Sequence, residues 1–378
     1  MINVKGRTRN ILLGIGALIV IFLMWYFSAI VTYIIISVVL SFLGRPIVRR
    51  LKRIHYKKFR MPDSLAAFIT LVMLWILFIG FFRFMIPLLV NEFDTLSNLD
   101  FEAVLESIQE PVSRITKFLT GESIEIGGQT FYDMLQNQLS ERFEFSQLSN
   151  ILGFIAGTIG DLMIGFFSVS FITFFFLKER NMFKNGILLL VPTELEEKVG
   201  KILSSISYLL RRYFIGLILE VLMVMLLDTL GLSIVGIEFQ HAIVIGLFAG
   251  LFNVIPYLGP WMGAFVGMLI GVAINLNADF MSHTLPLLGW MVLVFGSVQI
   301  IDNILFQPLI YSSSVKAHPL EIFLVIMAAG SMAGILGMIL AIPAYTILRV
   351  IAKEFFDNMK IVKKLTENLG KGSKKVPE

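Results

Sequence analysis

The sequence is organised around residues 251–271, which read LFNVIPYLGPWMGAFVGMLIG, an apolar run that is interrupted in its middle. Pro256 and Pro260 each lack a backbone N–H and crowd the preceding turn, and Gly259 between them frees the backbone. At membrane depth such a break is tolerated only where protein or a water-filled cavity satisfies the freed backbone groups. Broken helices of this kind form substrate sites in many secondary carriers, whereas a plain proline kink in a spanning helix is the alternative interpretation.

The composition indicates an integral membrane protein of the all-α, polytopic class. Of the 378 residues, 57% are hydrophobic and 15% are charged, and the mean hydropathy is +0.83. A soluble protein averages ~25% charged and ~45–50% apolar residues. Because the chain contains no Cys, disulfides, thiol chemistry and thiolate metal sites are excluded.

Residues 1–89 are predicted to form the first membrane region. The segment 11–43 is uncharged over 33 residues, which is too many for one spanning helix of ~20 residues and few for two. Both of its flanks are basic and so cytoplasmic, which predicts a hairpin that turns near Trp25 to Ser28. The flank 45–60 holds eight basic side chains and no acid, and we interpret it as an anionic-lipid contact rather than a nucleic-acid patch. Residues 65–89 then form a spanning helix.

Charge divides the rest of the chain into three further regions. Residues 90–150 carry eleven acidic and three basic side chains, which predicts an external helical segment with a solvated surface. Residues 151–352 are mainly apolar and are assigned as the membrane transport core. Residues 353–378 include seven lysines and form a basic tail. The pattern predicts a multi-pass protein with both termini in the cytoplasm.

Two late blocks, 241–274 and 320–352, are each too long for a simple crossing. Thirty-three helical residues extend ~50 Å at 1.5 Å per residue, against ~30 Å of hydrocarbon. Each block is therefore either a tilted crossing with an extension or a re-entrant hairpin, and residues 285–301 between them form one crossing. The loop 275–284 carries Asp279 and no Lys or Arg, whereas 303–319 carries a lysine, which favours the hairpins.

No pattern in the sequence points to catalysis, and we expect no cofactor and no metal site. The phosphate-binding motif Gly-x-x-x-x-Gly-Lys-Ser/Thr is absent, and the four His residues lack metal-ligand spacing. Three acids, Glu220, Asp228 and Asp302, fall within apolar segments, where a charge costs several kcal/mol unless it is paired or hydrated. Glu220 and Asp228 are eight residues apart and so lie within ~80° of each other on a helix. These three acids are the candidate ion-coupling residues.

Small residues mark the candidate packing surfaces. Glycines recur at every fourth position from Gly259 to Gly271, which on a helix forms one strip where another backbone can approach closely. The predicted helix-packing glycines are Gly263, Gly267, Gly271, Gly334 and Gly337.

Four motifs occur in a characteristic order: Asn253-Val-Ile-Pro-Tyr-Leu-Gly-Pro260, Gln307-Pro308, Val315-Lys-Ala-His-Pro319 and Gly334-Ile-Leu-Gly-Met-Ile-Leu-Ala-Ile-Pro343. With the basic loop near the N-terminus, they resemble the autoinducer-2 exporter family of bacterial membrane proteins, also called the permease-like family. The resemblance extends over nearly the whole chain. It implies a polytopic carrier of the bacterial inner (plasma) membrane with about eight membrane segments, some broken or re-entrant, that assembles as a homo-oligomer.

Three functions are consistent with these features. The first is a secondary carrier that exports a small polar solute such as autoinducer-2, the substrate that the resemblance implies. The second is a Na⁺(Li⁺)/H⁺ antiporter that uses the three acids. The third is a non-transporting scaffold or signalling protein whose external segment acts as a receptor. We expect no enzyme activity and no nucleic-acid partner. The predicted substrate-pathway residues are Asn253, Pro256, Tyr257, Gly259, Pro260 and Gln307.

Overall fold

In the part of the chain that the computed structural model describes, the regular elements are helices and two antiparallel pairs of two-residue strands. Five of its helices are long and apolar enough to cross a membrane, and three shorter ones bring the described apolar helices to eight. The prediction of an all-α polytopic membrane protein is therefore confirmed. The structure describes residues 19, 22–23, 25–53, 55–56, 59–97, 125–126, 129–130, 159–179, 181–275, 278–308 and 318–356.

The elements follow the chain in a simple order. The helices are α1 (Ser28–Arg53), α2 (Asp63–Ser97), α3 (Ile159–Lys178), α4 (Met182–Leu188), α5 (Glu196–Ile234), α6 (Phe239–Phe252), α7 (Gly259–Ala273), α8 (Leu285–Ile301) and α9 (Pro319–Phe356). The strands are β1 (His55–Tyr56), β2 (Phe59–Arg60), β3 (Glu125–Ile126) and β4 (Gln129–Thr130). Strand β1 pairs with β2, and β3 pairs with β4. Most of the predicted external segment and the basic tail beyond residue 356 lie outside the described residues.

The chain divides into two compact units, residues 1–77 with 157–193 and residues 78–156 with 194–378. In the first unit α1 packs against α3, and a glycine permits the approach. A Cβ on Gly44 would lie 2.8 Å from Leu177 Cδ2, so a larger residue there would require neighbouring side chains to shift. The Ser37 hydroxyl also donates to the Val169 carbonyl at 3.1 Å, which satisfies a polar group buried between the helices.

The prediction that residues 11–43 form a hairpin turning near Trp25 to Ser28 is wrong. The Phe27 N–H donates to the Leu23 carbonyl at 2.9 Å, and the Val31 N–H donates to the Phe27 carbonyl at 3.0 Å. These are i to i−4 helical bonds, so the helical path continues through the predicted turn into α1. Trp25 to Ser28 contains neither Pro nor Gly, and nothing local forces the backbone to reverse.

The second unit contains a helical hairpin made of α6 and α7. A Cβ on Gly263 would lie 2.7 Å from Ala249 Cα, and one on Gly267 would lie 2.7 Å from Ile245 Cγ2. Each step forward on α7 meets a step backward on α6, so the two helices are antiparallel. With 14 and 15 residues they are only about 21–23 Å long. The hairpin prediction for residues 241–274 is confirmed.

Helix α9 also folds back on itself, although its 38 residues would be long enough to cross a membrane. Its backbone leaves helical geometry at Ala333 (φ −139°, ψ 18°) and Gly334 (φ 60°, ψ −144°). A Cβ on Gly330 would lie 2.6 Å from Met338 Cε, whereas residues eight apart on a straight helix are about 12 Å apart. Residues 320–352 therefore form a second helical hairpin, as predicted.

Helix α8 matches the predicted crossing at residues 285–301 and is extended at each end by a π-helical turn. These turns are Phe280–Thr284 and Asp302–Phe306. Both α6 and α8 lie against α5: a Cβ on Gly250 would meet the Val221 carbonyl, and one on Gly231 would meet Val294 Cγ1. Helix α5 is thus the central helix of this unit.

Candidate functional site

Three acidic side chains are buried around α5 and α8, and they are the three that the sequence singled out. Glu220 and Asp228 are each 2% exposed, and Asp302 is fully buried. Glu220 and Asp228 lie on the buried side of α5, and Asp302 opens the π turn that follows α8. The side chain of Glu220 interacts with the carboxyl of Asp302, and Asp228 lies within electrostatic range of it.

The π turn fixes the surroundings of Asp302. The Gln307 side-chain amide donates to Asp302 Oδ2 at 2.8 Å, across a spacing of five residues. On an α-helix five residues correspond to a rotation of about 140°, whereas a π turn brings residues i and i+5 close together. The π turn therefore turns Gln307 toward the carboxylate, and such turns are frequent at functional sites.

Asn253 joins the same group from the first hairpin. It is the C-cap residue that directly follows α6 and is 5% exposed. Its amide donates to Asp302 Oδ2 at 3.4 Å, at the long end of a hydrogen bond. Two side-chain amides therefore converge on one carboxylate oxygen. We refer to Glu220, Asp228, Asn253, Asp302 and Gln307 as the polar cluster.

Two oxygen atoms of the polar cluster are buried without a partner among the described residues. They are Asp302 Oδ1 and Asp228 Oδ1. An unpaired carboxylate oxygen in a membrane interior is costly, so it calls for a proton, a cation or a polar solute. Within the described residues no set of three or more His, Cys, Asp and Glu is arranged to hold a metal ion.

Most of the backbone N–H groups in the break are already hydrogen-bonded. The N–H groups of Val254, Ile255, Leu258 and Gly259 donate to carbonyls within the same turn, at 2.8 to 3.3 Å. These donors are therefore occupied and are not presented to a solute. What the break supplies to the polar cluster is the side chain of Asn253 at the end of α6.

The other predicted pathway residues lie in or beside the turn. Tyr257 has a positive φ of 69° and is 43% exposed. Pro256 precedes it, and Pro260 occupies the first turn of α7, where a missing N–H costs nothing. Only glycine fits at position 259, since a Cβ there would overlap the Phe252 carbonyl oxygen.

The predicted packing glycines occupy two kinds of position. Gly263, Gly267 and Gly271 are buried, and a Cβ on Gly271 would lie 2.7 Å from Met291 Sδ. A Cβ on Gly337 would overlap the Ala329 carbonyl in the second hairpin. Gly334 differs, because its φ of 60° places it at the reversal of α9, with open space around it.

Sequence reasoning missed two pairs of residues in the second unit. Gly246 and Gly250 on α6 let α5 approach, and their four-residue spacing was a readable signal. Glu92 on α2 is 4% exposed and bonds His241 Nδ1 on α6 at 2.7 Å. Nothing local in the sequence indicates that second pair, because its members are 149 residues apart.

Comparison with known proteins places the chain among transport proteins. Residues 15–357 match a family model described as "AI-2E family transporter". The chain is 27% identical over 353 residues to "Putative transport protein YueF" of Bacillus subtilis, which covers 90% of this chain and 87% of that protein. It is 26% identical over 355 residues to "Putative transport protein sll0060" of Synechocystis sp., which covers 93% and 95%.

Proposed function

Since the chain belongs to the AI-2E transporter family and is a multi-pass membrane transport protein, we propose that it is a secondary carrier. We propose further that the polar cluster is the point where the solute or its coupling ion binds. The solute is small and polar, and autoinducer-2, moved outward, is the first candidate. The protein acts in the plasma membrane of a bacterial cell with both termini in the cytoplasm.

One observation carries this proposal: buried carboxyl groups and side-chain amides meet where a membrane helix is broken. Asp302 accepts from Gln307 at 2.8 Å and from Asn253 at 3.4 Å, and its second oxygen is unpaired. Carboxylate and amide groups together can bind the hydroxyl groups of a polar solute. Hydrogen bonds to a charged oxygen contribute about 1.5–3 kcal/mol each, enough to select such a solute.

A specific observation also favours coupling to a cation or a proton. Glu220 interacts with the Asp302 carboxyl, and Asp228 lies within electrostatic range of it. Neighbouring carboxylates that are all ionised and dry repel one another, so a proton or a monovalent cation stabilises the group. A carrier can exploit this by exchanging one for the other. Na⁺(Li⁺)/H⁺ antiport is therefore the second candidate function.

Other partners follow from the same proposal. The basic segment 45–60 contacts anionic lipid at the cytoplasmic surface, where each Lys or Arg contributes about 1 kcal/mol. Arg49 and Arg50 at the end of α1 are exposed and available for it. The working assembly is a homo-oligomer in the bilayer.

The test uses the full-length chain reconstituted in lipid vesicles. Two fluxes are measured: autoinducer-2 efflux, and proton movement driven by a sodium gradient and followed with a pH-sensitive dye. We expect Asp302→Asn to reduce the operative flux at least tenfold, because it removes the charge and keeps the size. Glu238→Gln is the matched control, since Glu238 is an exposed acid without a side-chain cap bond at the start of α6.

The outcomes separate the candidates. Solute efflux that depends on Asp302 supports the carrier, and sodium-driven proton flux without solute efflux supports the antiporter. If folded Asp302→Asn protein transports at the wild-type rate, the polar cluster is not the binding point. If the wild-type protein carries neither probe, the scaffold or signalling function becomes the better explanation.

A further inference from the structure

We propose that Tyr257 and Phe323 form an aromatic gate that controls access to the polar cluster. Tyr257 lies in the turn of the first hairpin, and Phe323 lies near the start of the second hairpin. The proposal rests on the proposed function in one respect: it takes the polar cluster as the binding point. It adds the route by which a water-borne molecule reaches that point.

The backbone of Tyr257 is strained in a way that calls for an explanation. Its φ is 69°, and the Leu258 N–H donates to the Pro256 carbonyl at 2.9 Å across it. This three-residue turn with positive φ is rare, and a glycine would adopt it without a steric penalty. Such strain persists only where the surroundings hold it and is concentrated at functional sites. A tyrosine at this position indicates that its side chain is needed.

The tyrosine ring meets Phe323 across the two hairpins. The ring centroids are 6.1 Å apart with an interplanar angle of 75°, an edge-to-face contact. Tyr257 is 43% exposed and Phe323 is 39% exposed, so their contact lies at the surface and is not part of the core. It lies four residues along the chain from Asn253, which bonds Asp302.

The two sides of the gate are held to different degrees. Phe323 lies just after Glu321, which accepts the His318 N–H at 3.1 Å and hydrogen-bonds with Tyr345 on the returning half of α9. Tyr257 lies instead in a turn between Pro256 and the first turn of α7. The phenylalanine side is therefore braced within the second hairpin. On the tyrosine side the backbone is held by its turn, so the part that moves when the gate opens is the exposed Tyr257 ring, which rotates about its side-chain bonds.

The absence of Cys in the chain makes a direct test possible. In the full-length protein in vesicles, Tyr257→Cys with Phe323→Cys is linked by a short bifunctional thiol reagent that a reductant cleaves. Access to the polar cluster is measured by labelling with a water-soluble carbodiimide and a small amine, with Asp302 followed by mass spectrometry. Autoinducer-2 efflux and sodium-driven proton flux are measured on the same samples.

We expect the linked protein to label Asp302 at least tenfold more slowly than the unlinked one, and reductant to restore the rate. Each single-Cys variant with the same reagent controls for modification alone. Phe323→Ala, which opens the gate, should speed the labelling. Equal labelling of linked and unlinked protein overturns the proposal, as does failure of the two thiols to link in folded protein or an unchanged rate in Phe323→Ala. If labelling responds to the link but neither flux exists, the gate stands and the proposed function fails.

Discussion

We predict that Gly250→Ala disrupts the polar cluster because it forces α6 away from α5. A Cβ on Gly250 would lie 2.6 Å from the Val221 carbonyl oxygen and 3.2 Å from Met225 Cβ. Ordinary contact begins near 3.4 Å, so α6 and α5 must separate by about 0.8 Å at this point. The obstacle is backbone and cannot rotate away. Overpacking of this kind costs about 1–3 kcal/mol.

The displacement also reaches the site. Asn253 lies one turn beyond Gly250 on α6, and its 3.4 Å bond to Asp302 is already at the limit. Moving α6 outward breaks that bond. Because this bond is long, its loss is expected to cost about 1.5 kcal/mol, the lower end of the range for a bond to a charged oxygen. That cost corresponds to a roughly tenfold lower transport rate if the bond is needed in the transition state.

The measurement compares Gly250→Ala with Gly296→Ala. A Cβ on Gly296 of α8 would meet nothing within 4 Å, so this substitution tests only the change of residue type. We expect Gly250→Ala to lower the thermal unfolding midpoint in detergent by about 2 °C for each kcal/mol of lost stability. It should also slow transport. Gly296→Ala should change neither the midpoint nor the transport rate. If the two variants have equal midpoints and equal transport, close packing of α6 on α5 does not position Asn253.

Two further predictions concern contacts away from the polar cluster. The pKa of the Asp279 carboxyl is lowered below its usual 3.8, first by a hydrogen bond with the Ser282 side chain and then by the Ser282 N–H, which donates to Asp279 Oδ2 at 2.7 Å. Since folding lowers this pKa, the stabilisation is complete above about pH 4 and is lost as the pH falls through the lowered pKa. In thermal unfolding measured over a series of pH values, Asp279→Asn should therefore reduce the dependence of the midpoint on pH below about pH 4. Glu92→Ala should cost about 1–3 kcal/mol because it removes the partner of His241, and adding His241→Ala should then cost little more, which a double-mutant cycle of thermal midpoints measures.

The parts of the fold that were predictable are those that local chemistry determines. Proline and glycine at the break of residues 251–271 interrupt any helix. The length of 320–352 against the bilayer thickness left a tilted crossing or a reversal, and loop charge favoured the reversal. The four-residue spacing from Gly259 to Gly271 indicated a close helix contact, and the structure buries all four glycines. Each of these signals lies within one short segment of the sequence and depends on a local property of its residues, such as backbone freedom, a missing N–H or segment length.

The parts that were not predictable depend on contacts between distant segments or on small changes of helical pitch. The bond between Gln307 and Asp302 requires a π turn, and no residue type specifies one. The reversal expected near Trp25 failed for the opposite reason: charge on both flanks suggested it, but no local residue supported it. The charge of flanking segments predicts on which side of the membrane they lie, but it does not cause the backbone between them to turn.

The break in residues 251–271 therefore works differently from the simplest expectation. A break that exposed its backbone would offer N–H groups to a solute, yet those of Val254, Ile255, Leu258 and Gly259 are bonded within the turn. The turn instead ends α6 at Asn253 and sends α7 back along it. A straight helix would carry the following residues away from Asp302 by about 1.5 Å each. Because the chain reverses, one short segment places an amide on Asp302 and an aromatic ring beside the second hairpin. In the mechanism that we propose, binding and access therefore depend on the same turn.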